Sequence, residues 1–341
     1  MNEMNFDRLK LFLEEKFYWD PKSIKISPLN GGFSNLTFLV ETPKGKFALR
    51  RPPFGYKIST AHDMARESGI QEALHRAGYT KAPKSILLYE DDRILGAPFF
   101  IMEYIEGIVI RNRRPSGIIP KKEEFEKLAW NTIDALLELH HLELRESGLL
   151  RLGKPEGYVN RQILGWTDRY QRAKTDEIAE MEKVADWLKS NIPQKENYAF
   201  IHNDFKYDNL ILEPEDISEI KAVLDWEMST VGEPLMDLGT SLAYWAQEDD
   251  EEILKMFNLT HLSGNPTRQE VIEYYDRKSG LDLSNMLYYY VYGLFKVAVI
   301  AQQIYKRYKL GQAEDPRFAA LIEVVKAAGR KAEKSILTEN I

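Results

Sequence analysis

The chain has 341 residues, 44% of them apolar and 29% charged, an ordinary balance for a soluble globular protein and enough length for two lobes of roughly 100–200 residues each. Lys and Arg number 46 against 53 Asp and Glu, a net charge of −7, which speaks against a general nucleic-acid binder because that role needs a basic surface to displace counterions. Cysteine is absent, so disulfides, Cys-ligated zinc and thiol nucleophiles are excluded.

Met1-Asn2-Glu3-Met4-Asn5-Phe6-Asp7 lacks the basic and apolar regions of a leader, and nowhere do about 18 apolar residues run together. A cytoplasmic protein without a membrane partner is the expectation. Met4, Leu9, Phe12, Leu13 and Phe17 recur at helical spacing, and Asp20-Pro21 ends that lead-in helix. The period then changes to that of strands. Ile24–Ile26, Leu36–Val40 and Lys46–Arg50 read as a three-stranded meander turned at 30–35 and 42–45.

In the first of those turns, Gly31 and Gly32 lack Cβ atoms, so backbone N–H groups there can approach an anion, and Phe33, Ser34 and Asn35 complete the loop. A plain hairpin turn is the alternative. Phe47-Ala48-Leu49-Arg50 stands where protein kinases carry V-A-I-K, whose Lys pairs with nucleotide phosphates and a helix Glu. Arg50 is the candidate here. Arg51 points to the other face of the strand, because side chains alternate. The helix expected over 61–77, stopped by Gly78, supplies Glu67 as the partner of Arg50, with Glu72 in reserve.

Ser85–Tyr89 and Pro98–Ile105 make two further strands. They end at Glu106-Gly107, a natural hinge, and Glu103, Tyr104 and Ile105 are the candidates for backbone contacts to adenine. Arg111, Arg113 and Arg114 form a basic patch that reads as a solvated loop. Helices are expected over 122–142, 166–174 and 178–190. His140 and His141 diverge by about 100° on a helix, which argues against a shared metal.

Phe200–Leu212 is an apolar run, a polar knot and a second apolar run, thus strand, loop and strand. His202, Asp204, Lys206 and Asn209 have the spacing H-x-D-x-K-x-x-N, that of a kinase catalytic loop in which the Asp accepts the substrate hydroxyl proton and the Asn holds Mg²⁺. Ile220–Leu224 is another strand, and Asp225 stands at its end, sixteen positions after Asn209, where the Asp of D-F-G would hold the same metal. Trp226-Glu227 takes the place of Phe-Gly. Asp237, entering the next helix, is either an acid complementing the helix dipole or a buried strut for the catalytic loop. Helices at about 250–258, 268–279, 284–309 and 316–336 complete the chain.

These motifs resemble the aminoglycoside phosphotransferase family of kinase-like small-molecule kinases over nearly the whole chain. His202-Asn203-Asp204 with Asn209, Asp225 after its strand and Gly232-Glu233-Pro234-Leu235-Met236-Asp237 carry the likeness. Leu49-Arg50-Arg51-Pro52-Pro53, the stretch from Gly96 to Tyr104 and the helix around Trp187-Leu188 are similar to the kinase-like domains fused to acyl-CoA dehydrogenases. The resemblance implies an α+β, protein-kinase-like fold, with a small five-stranded antiparallel N-terminal lobe over 1–105 and a larger, mainly helical lobe over 106–341. It implies ATP, Mg²⁺, Asp204 as base, Lys206 near the transferring phosphate, Asn209 and Asp225 as metal ligands, and His202 and Asp237 as supports. For this branch it implies a hydroxyacyl-CoA acceptor, for which the arginines at 111–114 would be useful. Two other readings stand beside it: a kinase for a cationic amino alcohol or aminoglycoside, with Glu248–Glu252 lining its site, and a catalytically silent nucleotide-binding scaffold.

Overall fold

A computed structural model describes residues 4, 6–29, 35–53, 63–111 and 120–341. The chain divides into two compact units: Met1–Gly107 with Lys221–Met228, and Ile108–Ile220 with Ser229–Ile341. An expectation of two contiguous stretches, 1–105 and 106–341, leaves out this return of 221–228 to the first unit.

In the first unit, helix α1 (Phe6–Phe17) precedes strands β1 (Lys25–Pro28), β2 (Leu36–Thr42) and β3 (Gly45–Arg51). Helix α2 (Met64–Arg76) and strands β4 (Ser85–Tyr89) and β5 (Phe99–Glu103) follow. The strands form one antiparallel sheet in the order β1-β2-β3-β5-β4. Its two faces follow from the period of two. Leu49, Phe99 and Ile101 face one way, into a core with Leu9 and Leu13 of α1 and with Trp19, Phe38 and Val40. Ala48, Phe100 and Met102 face the other way and pack on Met64 at the start of α2. Arg50 therefore projects on the α2 side. Asp63 caps α2 by accepting from the Arg66 amide at 2.9 Å.

The second unit is mainly helical. Helices α3 (Lys122–His140), α4 (Tyr158–Ala173) and α5 (Ala179–Ser190) precede strands β6 (Ala199–Ile201) and β7 (Leu210–Leu212). Strand β8 (Ile220–Val223) crosses into the first unit, and β9 (Thr230–Gly232) returns to pair antiparallel with β6, Phe200 opposite Val231. Helices α6 (Pro234–Tyr244), α7 (Arg268–Ser279), α8 (Met286–Lys309) and α9 (Leu321–Thr338) complete it.

Helix α8 is the axis of this unit, buried continuously from Tyr288 through Val299. Its approach to α6 needs glycine on both sides. A Cβ at Gly239 would lie 2.2 Å from the Tyr289 carbonyl oxygen, and one at Gly293 would lie 2.2 Å from the Gly239 carbonyl oxygen. Two sequence expectations need correction, and one strand has no expectation behind it. Helix α4 begins at Tyr158, eight residues before the expected 166; the helix expected at 250–258 is only a short turn, Leu254–Phe257; and β9 was not foreseen. The first error has a visible cause: Gly157 at φ 64° begins the helix with no side chain to cap it, and the Tyr158 and Val159 amides instead donate to Glu196 at 3.2 Å each, so the usual local start signal is missing.

Candidate active site

The polar knot at 202–209 lies in the second unit between β6 and β7. Asn203 sits at φ 70°, a left-handed conformation that Asn tolerates better than most residues. That bend turns the next residue, Asp204, out of the strand. Asp204 Oδ1 accepts from Lys206 Nζ at 3.0 Å, and Asp204 Oδ2 accepts from Asn209 Nδ2 at 2.9 Å. Asn209 also donates to the Asp204 backbone carbonyl at 2.8 Å, so it is the amide oxygen of Asn209 that turns away from Asp204. Burial opposes the charge on Lys206, but Asp204 outweighs it and holds the ammonium well above its ordinary value. The same ammonium lies over the ring of Tyr244, 4.4 Å from its centroid. Asp208 next door is pushed up to about 6 by burial.

The loop is tied down from below. Asp237, in the first turn of α6 and fully buried, accepts from the His202 amide and the Asn203 amide at 2.7 Å each. His140 Nε2 lies 3.1 Å from the same carboxylate, and His140 Nδ1 lies 2.7 Å from the Tyr275 hydroxyl. Burial would push the Asp237 carboxyl up, yet His140 and the loop amides hold it below its usual value. His202 itself is buried, and its Nδ1 accepts from the Asp204 amide at 3.2 Å. From spacing alone, His140 reads only as an unpromising metal ligand. Its pairing with Asp237, 97 residues away, has no local signature.

A second group of charges lies in the first unit. Arg50 Nη2 is 2.9 Å from Asp225 Oδ1 and 3.0 Å from Glu227 Oε2, and Arg50 Nε is 3.1 Å from Glu67 Oε2, close but off hydrogen-bond geometry. Asn35 Nδ2 donates to Glu227 Oε2 at 2.9 Å. Asp225 has φ 69°, the second left-handed non-glycine residue at these motifs. Burial opposes ionisation of Arg50, but Glu67, Asp225 and Glu227 outweigh it and raise the guanidinium further. Burial pushes Glu67 up to about 7, against the pull of Arg50. Glu72, the alternative partner, is exposed and faces Arg76 at 3.9 Å. Arg51, on the other face, is buried and donates to the Pro52 and Leu95 carbonyls.

Glu227 is the residue that sequence spacing passed over, since it stands where the kinase motif has Gly. Gly31, Gly32, Phe33 and Ser34 lie outside the described residues, as do Arg113 and Arg114. Glu103 ends β5 with its amide donating to the Lys84 carbonyl at 2.9 Å, Tyr104 packs on the Ala48–Met102 cluster, and Ile105 follows in the loop.

Among the described residues no three His, Cys, Asp or Glu are grouped to hold a metal by themselves. Mg²⁺ does not require such a cage, because it is commonly held by one or two carboxylates and by substrate phosphates. Three carboxyl groups lie around one guanidinium, and carboxylate and amide oxygens are the hard donors Mg²⁺ takes. The residues fit the ion. No helix among the described residues is long and apolar enough to cross a membrane.

Residues 25–273 match the family model described as "Phosphotransferase enzyme family". Acyl-CoA dehydrogenase family member 10 of Mus musculus is 35% identical over 286 residues, 83% of this chain and 26% of its own length. Acyl-CoA dehydrogenase family member 11 of Homo sapiens is 32% identical over 318 residues, 92% of this chain and 40% of its own length. The chain thus spans well under half of these curated relatives. A solved structure from Ralstonia eutropha, described as that of a candidate aminoglycoside phosphotransferase, superposes with TM-score 0.82 at 26% identity, covering 98% of this chain and 99% of that one.

Proposed function

This chain belongs to the phosphotransferase enzyme family, and from that premise we propose that it transfers the γ-phosphoryl group of ATP to a hydroxyl of a small acyl-CoA-like molecule. The observation that carries the reading is the fixed carboxylate of Asp204, braced by Lys206 and Asn209 and set on a backbone bend that Asp237 ties down. A carboxylate held this way accepts a proton from an alcohol without having to be ordered in the transition state.

In the proposed reaction the acceptor oxygen attacks the γ-phosphorus, a new O–P bond forms, and the bond from the γ-phosphorus to its bridging oxygen breaks to release ADP. The hydroxyl proton goes to Asp204. Lys206 neutralises charge beside it. Arg50 holds phosphate oxygens, fixed by Glu67 as the Lys of protein kinases is by its helix Glu. Asn209 and Asp225 are the proposed oxygen ligands of Mg²⁺, which when bound neutralises charge on the phosphate oxygens. Gly31, Gly32, Phe33, Ser34 and Asn35 are the proposed phosphate cover. Glu103, Tyr104 and Ile105 are the proposed adenine contacts, and His202 and Asp237 the supports of the loop.

The acceptor class rests on the relatives, which are named for acyl-CoA chemistry. The acidic run at 248–252 gives less support to a cationic acceptor than its composition suggests. Asp250 is buried against Arg268 at 2.6 Å and Lys331 at 2.7 Å, and Glu251 pairs with Arg330 at 2.6 Å. These acids are already neutralised.

The test is ATP turnover against hydroxyacyl-CoAs, amino alcohols and aminoglycosides. Asp204→Asn should lower turnover by about 10²–10⁴ while nucleotide binding persists. Undiminished turnover sinks the assignment of the base, and turnover confined to amino alcohols or aminoglycosides sinks the acyl-CoA reading. Asp225→Ala should remove Mg²⁺-dependent nucleotide binding, read by calorimetry with and without the ion; unchanged binding counts against its metal role.

A further inference from the structure

Lys296 lies in the middle of α8, 1% exposed, where a helix otherwise lined with Tyr, Phe, Val and Ala packs its core. No carboxylate among the described residues forms an ion pair with it. Its ammonium donates instead to the Asn203 backbone carbonyl at 2.7 Å and to Asn203 Oδ1 at 3.2 Å, and it lies 5.8 Å from the centroid of the Trp166 ring. Burying an unpaired ammonium costs stability, and an apolar side chain of the same length would remove that cost. Packing alone does not account for a lysine here.

What the ammonium touches is the one left-handed residue of the catalytic loop. Asn203 is held on every polar atom: its amide donates to Asp237, its side-chain nitrogen donates to the Tyr158 hydroxyl at 3.1 Å, and its carbonyl and side-chain oxygens accept from Lys296. The Asn203 carbonyl belongs to the peptide whose other end is the Asp204 amide. Rotation of that peptide therefore swings the Asp204 carboxylate.

We propose that Lys296 is a positioning residue for phosphoryl transfer, its charged ammonium clamping the Asn203–Asp204 peptide so that the Asp204 carboxylate points at the acceptor hydroxyl. The assignment rests on Asp204 being the base. The groups that act on Lys296 are Asp237 of α6, Asp204 and Lys206 of the loop and Arg169 of α4. Burial lowers it, with the two carboxylates opposing, to about 8. The charged form present at neutral pH is thus lost as the pH rises through about 8. Stability and activity then respond in opposite directions. A lysine whose folded value lies below its unfolded one lets the folded state bind fewer protons between those two values, so stability rises there with pH. The clamp weakens over the same range.

The experiment compares Lys296→Met and Lys296→Arg with the unmodified chain, using ATP, Mg²⁺ and an acceptor that the unmodified chain phosphorylates. Lys296→Met should lose on the order of 10²-fold in kcat with KM for ATP little changed, since misplacement by about an ångström has that effect. The unmodified chain should lose kcat above about pH 8. Lys296→Arg should keep activity to higher pH. Amide hydrogen exchange across 202–209 should quicken in Lys296→Met. A methionine variant with unchanged kcat and unchanged exchange overturns the proposal. If that variant does not fold, identical alkaline limbs in the unmodified chain and Lys296→Arg overturn it instead. If the unmodified chain phosphorylates nothing, the proposed function fails, and exchange at 202–209 still decides whether Lys296 holds the loop.

Discussion

Arg50 shows how far a single position can be reasoned out from a strand. Alternation places Arg50 and Arg51 on opposite faces, and the helix that follows offers Glu67 on its first turn. The structure has Arg50 at 3.1 Å from Glu67, and Arg51 donating to carbonyls on the other side. Glu227 was not legible, because its contact with Arg50 joins positions 177 apart and the kinase motif puts Gly there. Since Arg50 lies within ion-pair distance of Glu67, Asp225 and Glu227, its removal leaves the buried Glu67 and the half-buried Asp225 and Glu227 without that guanidinium. Arg50→Met should destabilise the protein by about 3–5 kcal/mol in chemical unfolding, the effect of removing one partner of a buried ion pair. A loss within experimental error would mean that the three carboxylates are neutral or solvated. Asp237 is the counterpart in the second unit. Its sequence context leaves two roles open, and its acceptance of the His202 and Asn203 amides at 2.7 Å supports the proposed strut.

At the level of elements, helix and strand periods found most of what is present, and the failures share a cause. Helix α4 starts at a glycine without a capping side chain, β9 is only three residues long, and the acidic 248–252 run mimics a helix start although Asp250 is engaged with Arg268 and Lys331. Each of these is decided by partners distant in sequence. The crossing of α6 and α8 is likewise tertiary. Gly239 and Gly293 each admit the other helix's backbone, and this close contact lies within one turn of Asp237 and of Lys296, the residues that reach the loop from the two helices. Ala is favoured over Gly in a helix by about 1 kcal/mol. Overpacking nevertheless dominates when the Cβ meets backbone, which cannot rotate away. Gly293→Ala should therefore lower stability by about 1–3 kcal/mol. It should also slow turnover more than that loss of stability explains. A stabilised, fully active variant would show that the two helices can part without cost to the site.

Over the whole molecule, the fold class was readable from the order of its elements, and the chain's family from a few motifs in two loops. The acceptor was not, because no spacing encodes it. A global pH effect follows from Glu233, which is fully buried at the start of α6 and accepts from the Asn197 and Leu235 amides. Burial pushes its carboxyl up to about 7, with Glu196 adding to the rise. The folded state thus holds a proton that the unfolded chain has released between about 4.5 and 7, so this residue's contribution to stability falls as pH rises through that window. Glu233→Gln should flatten the stability curve there, as read by denaturant unfolding at a series of pH values; an unaltered slope would assign the dependence elsewhere. The return of Lys221–Met228 to the first unit bears on how the protein is made. A ribosome releases residues 1–107 long before it reaches Asp225 and Glu227, so the nascent small unit waits with Arg50 and Glu67 lacking the two acids that complete their cluster. Sequential completion from the N-terminus, the usual order during synthesis, is denied to it. The charge cluster of the small unit is complete only when about two thirds of the chain has emerged.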